Sequence, residues 1–167
     1  MKMKTLTFET FANSEDDFIY VPIYNDRKLY VVRNGNAFMY IGISETCIWE
    51  RWFSQRKSHM FITHSLNLVG RSNIGAVVQE NLPESLSWSI DLWAMPDLLD
   101  FLEVSYTYEN EQYHIDDERY WFKWCKVKHL EEVMIKYLCP KVNIMGNNWT
   151  EPNEYFLNKY LTTLGVS

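Results

Sequence analysis

Cysteine, proline and glycine are all scarce in this chain, at three, five and six among 167 residues. Cys47, Cys125 and Cys139 are odd in number and lack the close paired spacing of a zinc site, so neither a disulfide framework nor a structural zinc is expected. They read as buried thiols of a reducing compartment. With so little glycine and proline, long structureless linkers are not expected. No stretch approaches 18 uninterrupted apolar residues, so no membrane span is expected. Met1 to Phe11 is polar and does not resemble a signal peptide, and the expected location is cytoplasmic. Positive charge is also in deficit. Sixteen Lys and Arg face 22 Asp and Glu, for a net charge of −6, which opposes tight unassisted binding to a phosphate backbone.

What the chain does have is apolar and aromatic mass. Apolar residues make up 47% and aromatics 16%, enough for a packed core in one domain spanning 1–167. No repeat or low-complexity tract interrupts it. Basic residues cluster in Arg51 to Lys57 and Lys123 to Lys128, and acids in Ser14 to Asp17 and Glu109 to Glu118.

The strongest local signal is a hairpin. Lys28 to Arg33 and Ala37 to Ile43 are β-prone runs separated by Asn34-Gly35-Asn36. A three-residue loop sets Tyr30 opposite Tyr40, with both rings on one face, whereas a two-residue loop sets Tyr30 opposite Met39. A helix is expected over about Glu45 to Lys57, with Ile48, Trp49, Trp52 and Phe53 on its apolar face. Arg51 falls roughly 130° from the centre of that face, at about 100° per residue. A second helix is expected over Ser72 to Glu80, a third strand over Ser87 to Met95, and a short helix over Pro96 to Leu102. Tyr106 to Glu118 gives no assignment.

A longer helix is expected over Tyr120 to Leu138, stopped by Cys139-Pro140. Leu130, Val133, Met134, Tyr137 and Leu138 form its buried stripe. Glu131 falls at the edge of that stripe, while Glu132 points nearly opposite, so only Glu131 can line a cleft beside the core. A last helix is expected over Glu151 to Leu164, with Thr150 as N-cap and Pro152 in its first turn. The fold class is therefore α/β (α+β): a small, mainly antiparallel three-stranded sheet flanked by helices, with a core over 28–143, an inserted middle segment and a C-terminal helix.

Read singly, these polar residues are unremarked. Tyr30 and Tyr40 are cross-strand aromatics, Arg51 and Glu131 solvated helical charges, and Asn143 a turn former. Their order is more specific. Leu29-Tyr30-Val31, Tyr40-Ile41-Gly42, Glu50-Arg51-Trp52, Glu131 to Lys136 and Pro140-Lys141-Val142-Asn143 together resemble the GIY-YIG nuclease superfamily. The resemblance implies hydrolysis of a nucleic-acid phosphodiester, DNA being the expected partner, with one divalent cation such as Mg²⁺ or Mn²⁺. It gives Glu131 as the metal ligand, Arg51 as the transition-state cation, Tyr30 as the group that activates or orients water with Tyr40 assisting, and Asn143 as a structural tie. Gly42 would keep the floor beside Tyr40 open.

The sequence departs from the family pattern in four places. Lys28 stands where the first motif has glycine, and the two tyrosines are one residue closer than is common. Arg51 comes one residue later, and Gln55 stands where some members carry a histidine, leaving His59 and His64 as substitutes. His59, His64, His114 and His129 have no ligand-like spacing of their own, and Trp149 reads as core. Two other classes compete. One is a non-catalytic nucleic-acid- or protein-binding module of the same fold. The other is an interaction protein with Trp49, Trp52, Trp121 and Trp124 in one exposed patch. No zinc finger, helix-turn-helix or basic tail is apparent, so the expected substrate is a branched, nicked or otherwise special structure, or a partner subunit supplies substrate targeting.

Overall fold

The computed structural model describes residues 3–21, 23–44, 47–53, 73–103, 105–107, 112–114, 124–125, 127–144 and 151–165. Strands β1 (Lys4–Thr7), β2 (Arg27–Asn34), β3 (Ala37–Ile43) and β4 (Ser89–Ala94) form one antiparallel sheet in the order β1-β4-β2-β3. This is one strand more than the sequence suggests. The added strand, β1, lies at the edge and is largely exposed, so it carries no apolar alternation to betray it.

Both faces of the sheet are covered. On one, Tyr30, Val32, Ile90 and Leu92 pack with α1 (Phe8–Ala12), α2 (Ile48–Phe53) and α3 (Asn73–Glu80). On the other, Leu29, Val31, Ile41 and Trp93 pack with α4 (Met95–Leu102), α5 (Val127–Leu138) and α6 (Glu154–Thr163). Period-2 alternation sends neighbouring strand residues into different cores, and each core is apolar. A second small antiparallel sheet joins β5 (Ser105–Thr107), β6 (Gln112–His114) and β7 (Trp124–Cys125).

The starts of the last two helices differ from expectation. Trp124–Cys125 is strand, so the helix expected from Tyr120 begins only at Val127. The last helix begins at Glu154 rather than Glu151. Its N-cap is Asn153, whose side-chain oxygen accepts from the Phe156 amide at 3.2 Å, and not Thr150, which lies outside the described residues. Ser54 to Lys57, at the end of the expected second-motif helix, also lie outside them. Trp49 and Trp52 are 4% and 0% exposed, so neither can belong to an exposed tryptophan patch.

Asp91 in β4 is fully buried. Its carboxylate accepts from Arg33 Nε and Nη2 at 2.6 and 2.8 Å, from Tyr160 Oη at 2.6 Å and from Thr5 Oγ1 at 2.7 Å. Trp93 Nε1 donates in turn to Tyr160 Oη at 3.1 Å. One carboxylate thus joins β1, β2, β4 and α6. Among the described residues, no helix is long and apolar enough to cross a membrane.

Candidate functional site

The hairpin register decides where the two phenols stand. Asn34 pairs with Ala37 across a two-residue turn in which Gly35 takes φ 60°, a region glycine enters without a Cβ clash. An irregularity at Val32/Arg33 then sets Val32 opposite Tyr40 and leaves Met39 as the extra residue of β3. Tyr30 consequently faces Gly42, and neither Tyr40 nor Met39 as the loop-length argument expects. The bulge leaves one feature of that expectation unchanged. Both rings are on the same sheet face, diagonal to one another, with centroids 6.1 Å apart.

Gly42 has a steric role here. A Cβ at that position would lie 2.8 Å from Tyr30 Cε2 and closer still to Cζ and Oη. Tyr30 is 1% exposed, with Trp52 edge-on at 5.8 Å, so its ring has no free space into which to retreat. Gly42→Ala is therefore expected to cost about 1–3 kcal/mol through overpacking, lowering the melting temperature by several degrees and moving the phenol. Unchanged melting in that variant would contradict this packing.

Arg51 is presented by α2. Ile48, Trp49, Trp52 and Phe53 bury the opposite side of this helix, and Phe8 packs edge-on against Trp52 at 5.0 Å. Arg51 remains half-buried, as its angle to the apolar face predicts. Its side chain shares a hydrogen bond with Tyr30.

Glu131 comes from α5. Leu130, Val133, Met134, Tyr137 and Leu138 are buried in the second core, Glu132 is exposed and Glu131 is half-buried between them. The helix packs against β3, the sheet edge that carries Tyr40. It ends at Cys139, with φ 47°, followed by Pro140. The chain then turns back along β3: Lys141 N donates to Phe38 O at 3.1 Å and Val142 N to Met39 O at 2.8 Å. Asn143 completes this clasp. Its Oδ1 accepts from Ile41 N at 2.7 Å and its Nδ2 donates to Ile41 O at 2.9 Å. Asn143 thus fixes the end of α5 to the strand between the two second-motif residues Tyr40 and Gly42.

Four side chains from four elements share one electrostatic environment. Burial pushes the Tyr30 phenol well above its ordinary value; Tyr40 and Glu131 add to the rise and Arg51 opposes it. Tyr40 is raised by burial and then by Glu131, again against Arg51. Burial, followed by the neighbouring Glu132, raises Glu131 to about 7, with Arg51 pulling it down. Both phenols are therefore neutral at physiological pH, and Glu131 titrates near neutrality.

Among the described residues, no group of three or more His, Cys, Asp and Glu side chains could hold a metal ion. A cation beside Glu131 would take that carboxylate and complete its shell with water and substrate oxygens. Magnesium does this readily when the substrate supplies phosphates. A half-buried carboxylate whose ionisation is opposed by its surroundings fits such a partner, because a nearby cation offsets that penalty. His59 and His64 lie outside the described residues, as do Gln55, Trp121 and Trp149. The buried Asp91 network escaped the sequence reading. Its one signal is an aspartate in the middle of the apolar run Ser89–Ala94, where an unpaired charge would be costly. Comparison with protein-family models, curated proteins and solved structures finds no match to this chain.

Proposed function

We propose that the chain is a divalent-metal-dependent endonuclease of the GIY-YIG type, acting on DNA phosphodiester bonds. The observation that carries this reading is the mutual interaction of Tyr30, Tyr40, Arg51 and Glu131, which come from β2, β3, α2 and α5. Two phenols, a guanidinium and a carboxylate beside one another are what in-line attack on a phosphate requires: groups to hold water, neutralise developing charge and anchor a cation.

Glu131 would hold the cation, which when bound supplies Lewis-acid polarisation of the phosphate and of the leaving oxygen. Arg51 offers a planar, permanently charged fork to the non-bridging oxygens of the transition state. Its hydrogen bond to Tyr30 restricts where that fork can point. Tyr30 and Tyr40, as neutral phenols, both donate and accept hydrogen bonds and so orient a water. With its ionisation opposed by burial, Tyr30 positions the nucleophile and does not act as a strong base in the metal-free chain. Asn143 acts on the backbone of Ile41 and maintains the spacing between α5 and β3.

The net charge of −6 favours a second reading, a binding module of the same fold without turnover. Incubation with Mg²⁺ and a panel of duplex, single-stranded and branched DNA separates the two. The nuclease reading expects cleavage that chelation abolishes and that Arg51→Ala slows by about 10²–10³-fold, with Arg51→Lys recovering little. Binding without cleavage of any substrate, or cleavage indifferent to Arg51→Ala, would support the module instead.

A further inference from the structure

Five large apolar side chains are exposed among the described residues, and three of them, Tyr20 at 69%, Val21 at 62% and Ile23 at 56%, fall within four consecutive positions. Exposed apolar residues scattered singly need no explanation, but a contiguous group marks a contact surface. The group is held in shape by its own backbone. Asp16–Tyr20 forms one π-helical turn, which Val21 N closes by donating to Asp16 O at 2.6 Å. Ile23 N then donates to Val21 O at 2.6 Å and Arg27 N to Tyr24 O at 3.0 Å. Phe18 and Tyr24 bracket the exposed segment and pack on one another with ring centroids 5.0 Å apart, against the core that contains Tyr30. A hollow of about 90 Å³ lies against both rings and is completed by Asn25, Lys28 and Cys47. It has room for one aliphatic side chain and is well below the size of a small-molecule pocket.

Charge narrows what can cover this segment. From Asn13 to Asp26 the sequence has four acids, Glu15, Asp16, Asp17 and Asp26, and no lysine or arginine. Asp26 pairs with Arg27 at 3.6 Å, whereas Glu15, Asp16 and Asp17 make no ion pair among the described residues. The i→i+5 spacing of the turn sets Asp16 and Asp17 one turn before Tyr20 and Val21, so acids border the apolar group. Such a border repels a DNA backbone and an anionic membrane surface. A second copy docking through the same patch about a two-fold axis would bring acid against acid.

We infer that this segment docks a short stretch of a partner protein that is both apolar and basic. The partner's apolar side chains cover Tyr20, Val21 and Ile23, and one of them enters the hollow against Phe18 and Tyr24. Its lysines or arginines face Asp16 and Asp17. The preformed turn keeps the ordering cost of binding low, and the small area suits a transient contact. This docking does not depend on the nuclease reading.

The test is an amide chemical-shift titration of the full chain with three synthetic peptides of equal length, alternating Leu/Lys, Leu/Glu and Ser/Lys. Saturable shifts at Tyr20, Val21, Ile23 and Tyr24 are expected with the Leu/Lys peptide at micromolar concentrations, and binding about tenfold weaker or absent with the other two. Val21→Ser/Ile23→Ser, at two exposed positions, is expected to weaken the Leu/Lys peptide by about tenfold. Asp16→Asn/Asp17→Asn should weaken it several-fold and lessen the salt dependence of its binding. Equal binding of either control peptide would overturn the inference, as would unchanged Leu/Lys affinity in both double variants. Shifts of the same amides on concentrating the chain alone, or on adding duplex DNA or phosphatidylserine vesicles, would also overturn it by assigning the surface to a second copy, a nucleic acid or a membrane.

Discussion

Asp91→Ala is expected to lower the melting temperature by roughly 10 °C, from a loss on the order of 3–5 kcal/mol in a chain of this size. The loss arises less from the pair's own energy than from what its removal leaves behind. Arg33 is 7% exposed and Tyr160 fully buried, and both would keep donors that water reaches poorly. Thr5 would lose its acceptor as well, which loosens β1 at the sheet edge. The double change Arg33→Leu/Asp91→Leu should cost much less than Asp91→Ala alone, because no charge is then left unpaired in the core. Thermal and urea denaturation measure both. A shift of less than about 2 °C for Asp91→Ala would mean that the network is not the clamp described here.

Much of the site could be read from the sequence because its residues sit on strongly periodic elements. The wheel position of Glu131 relative to Leu130, Val133 and Met134 gives its half-buried setting, and the apolar face of α2 gives that of Arg51. The hairpin is equally plain from Asn34-Gly35-Asn36. Its register is not, because one extra residue at Met39 changes every pairing beyond it, and no composition rule marks where a strand bulges. The polar edge strand β1 and the two-residue strand β7 are too short to show a period. Asn153 displaces Thr150 as N-cap because the first turn of the last helix begins later than its apolar pattern. The Asp91 cluster depends on contacts between residues as far apart as Thr5 and Tyr160, which local patterning cannot supply.

The second large effect concerns Glu131. Its folded-state value of about 7 lies above the ordinary 4.5, so the fold favours the protonated acid. The sign follows from linkage. Below about 4.5 both folded and unfolded chains carry the proton and this contribution to stability is complete. Between there and about 7 the unfolded chain ionises first, and stability falls as pH rises. Glutamine, neutral and of the same shape, removes that penalty. Glu131→Gln should therefore melt higher than the wild type at pH 8, with the difference closing as the pH is lowered towards 4.

The same carboxylate is needed ionised to hold a cation, so activity should have the opposite dependence. Wild-type cleavage at limiting Mg²⁺ should rise with pH through the neutral region. Saturating Mg²⁺ should shift that rise to lower pH, since a bound cation favours the ionised form. A group whose ionisation lowers stability is the pattern expected where function and folding compete.

The most direct measurement compares wild type and Glu131→Gln at pH 8 in Mg²⁺, recording DNA cleavage and melting temperature on the same preparations. The proposed function predicts that Glu131→Gln loses cleavage by about 10³-fold or more while melting above the wild type. Cleavage at the wild-type rate by Glu131→Gln would contradict it.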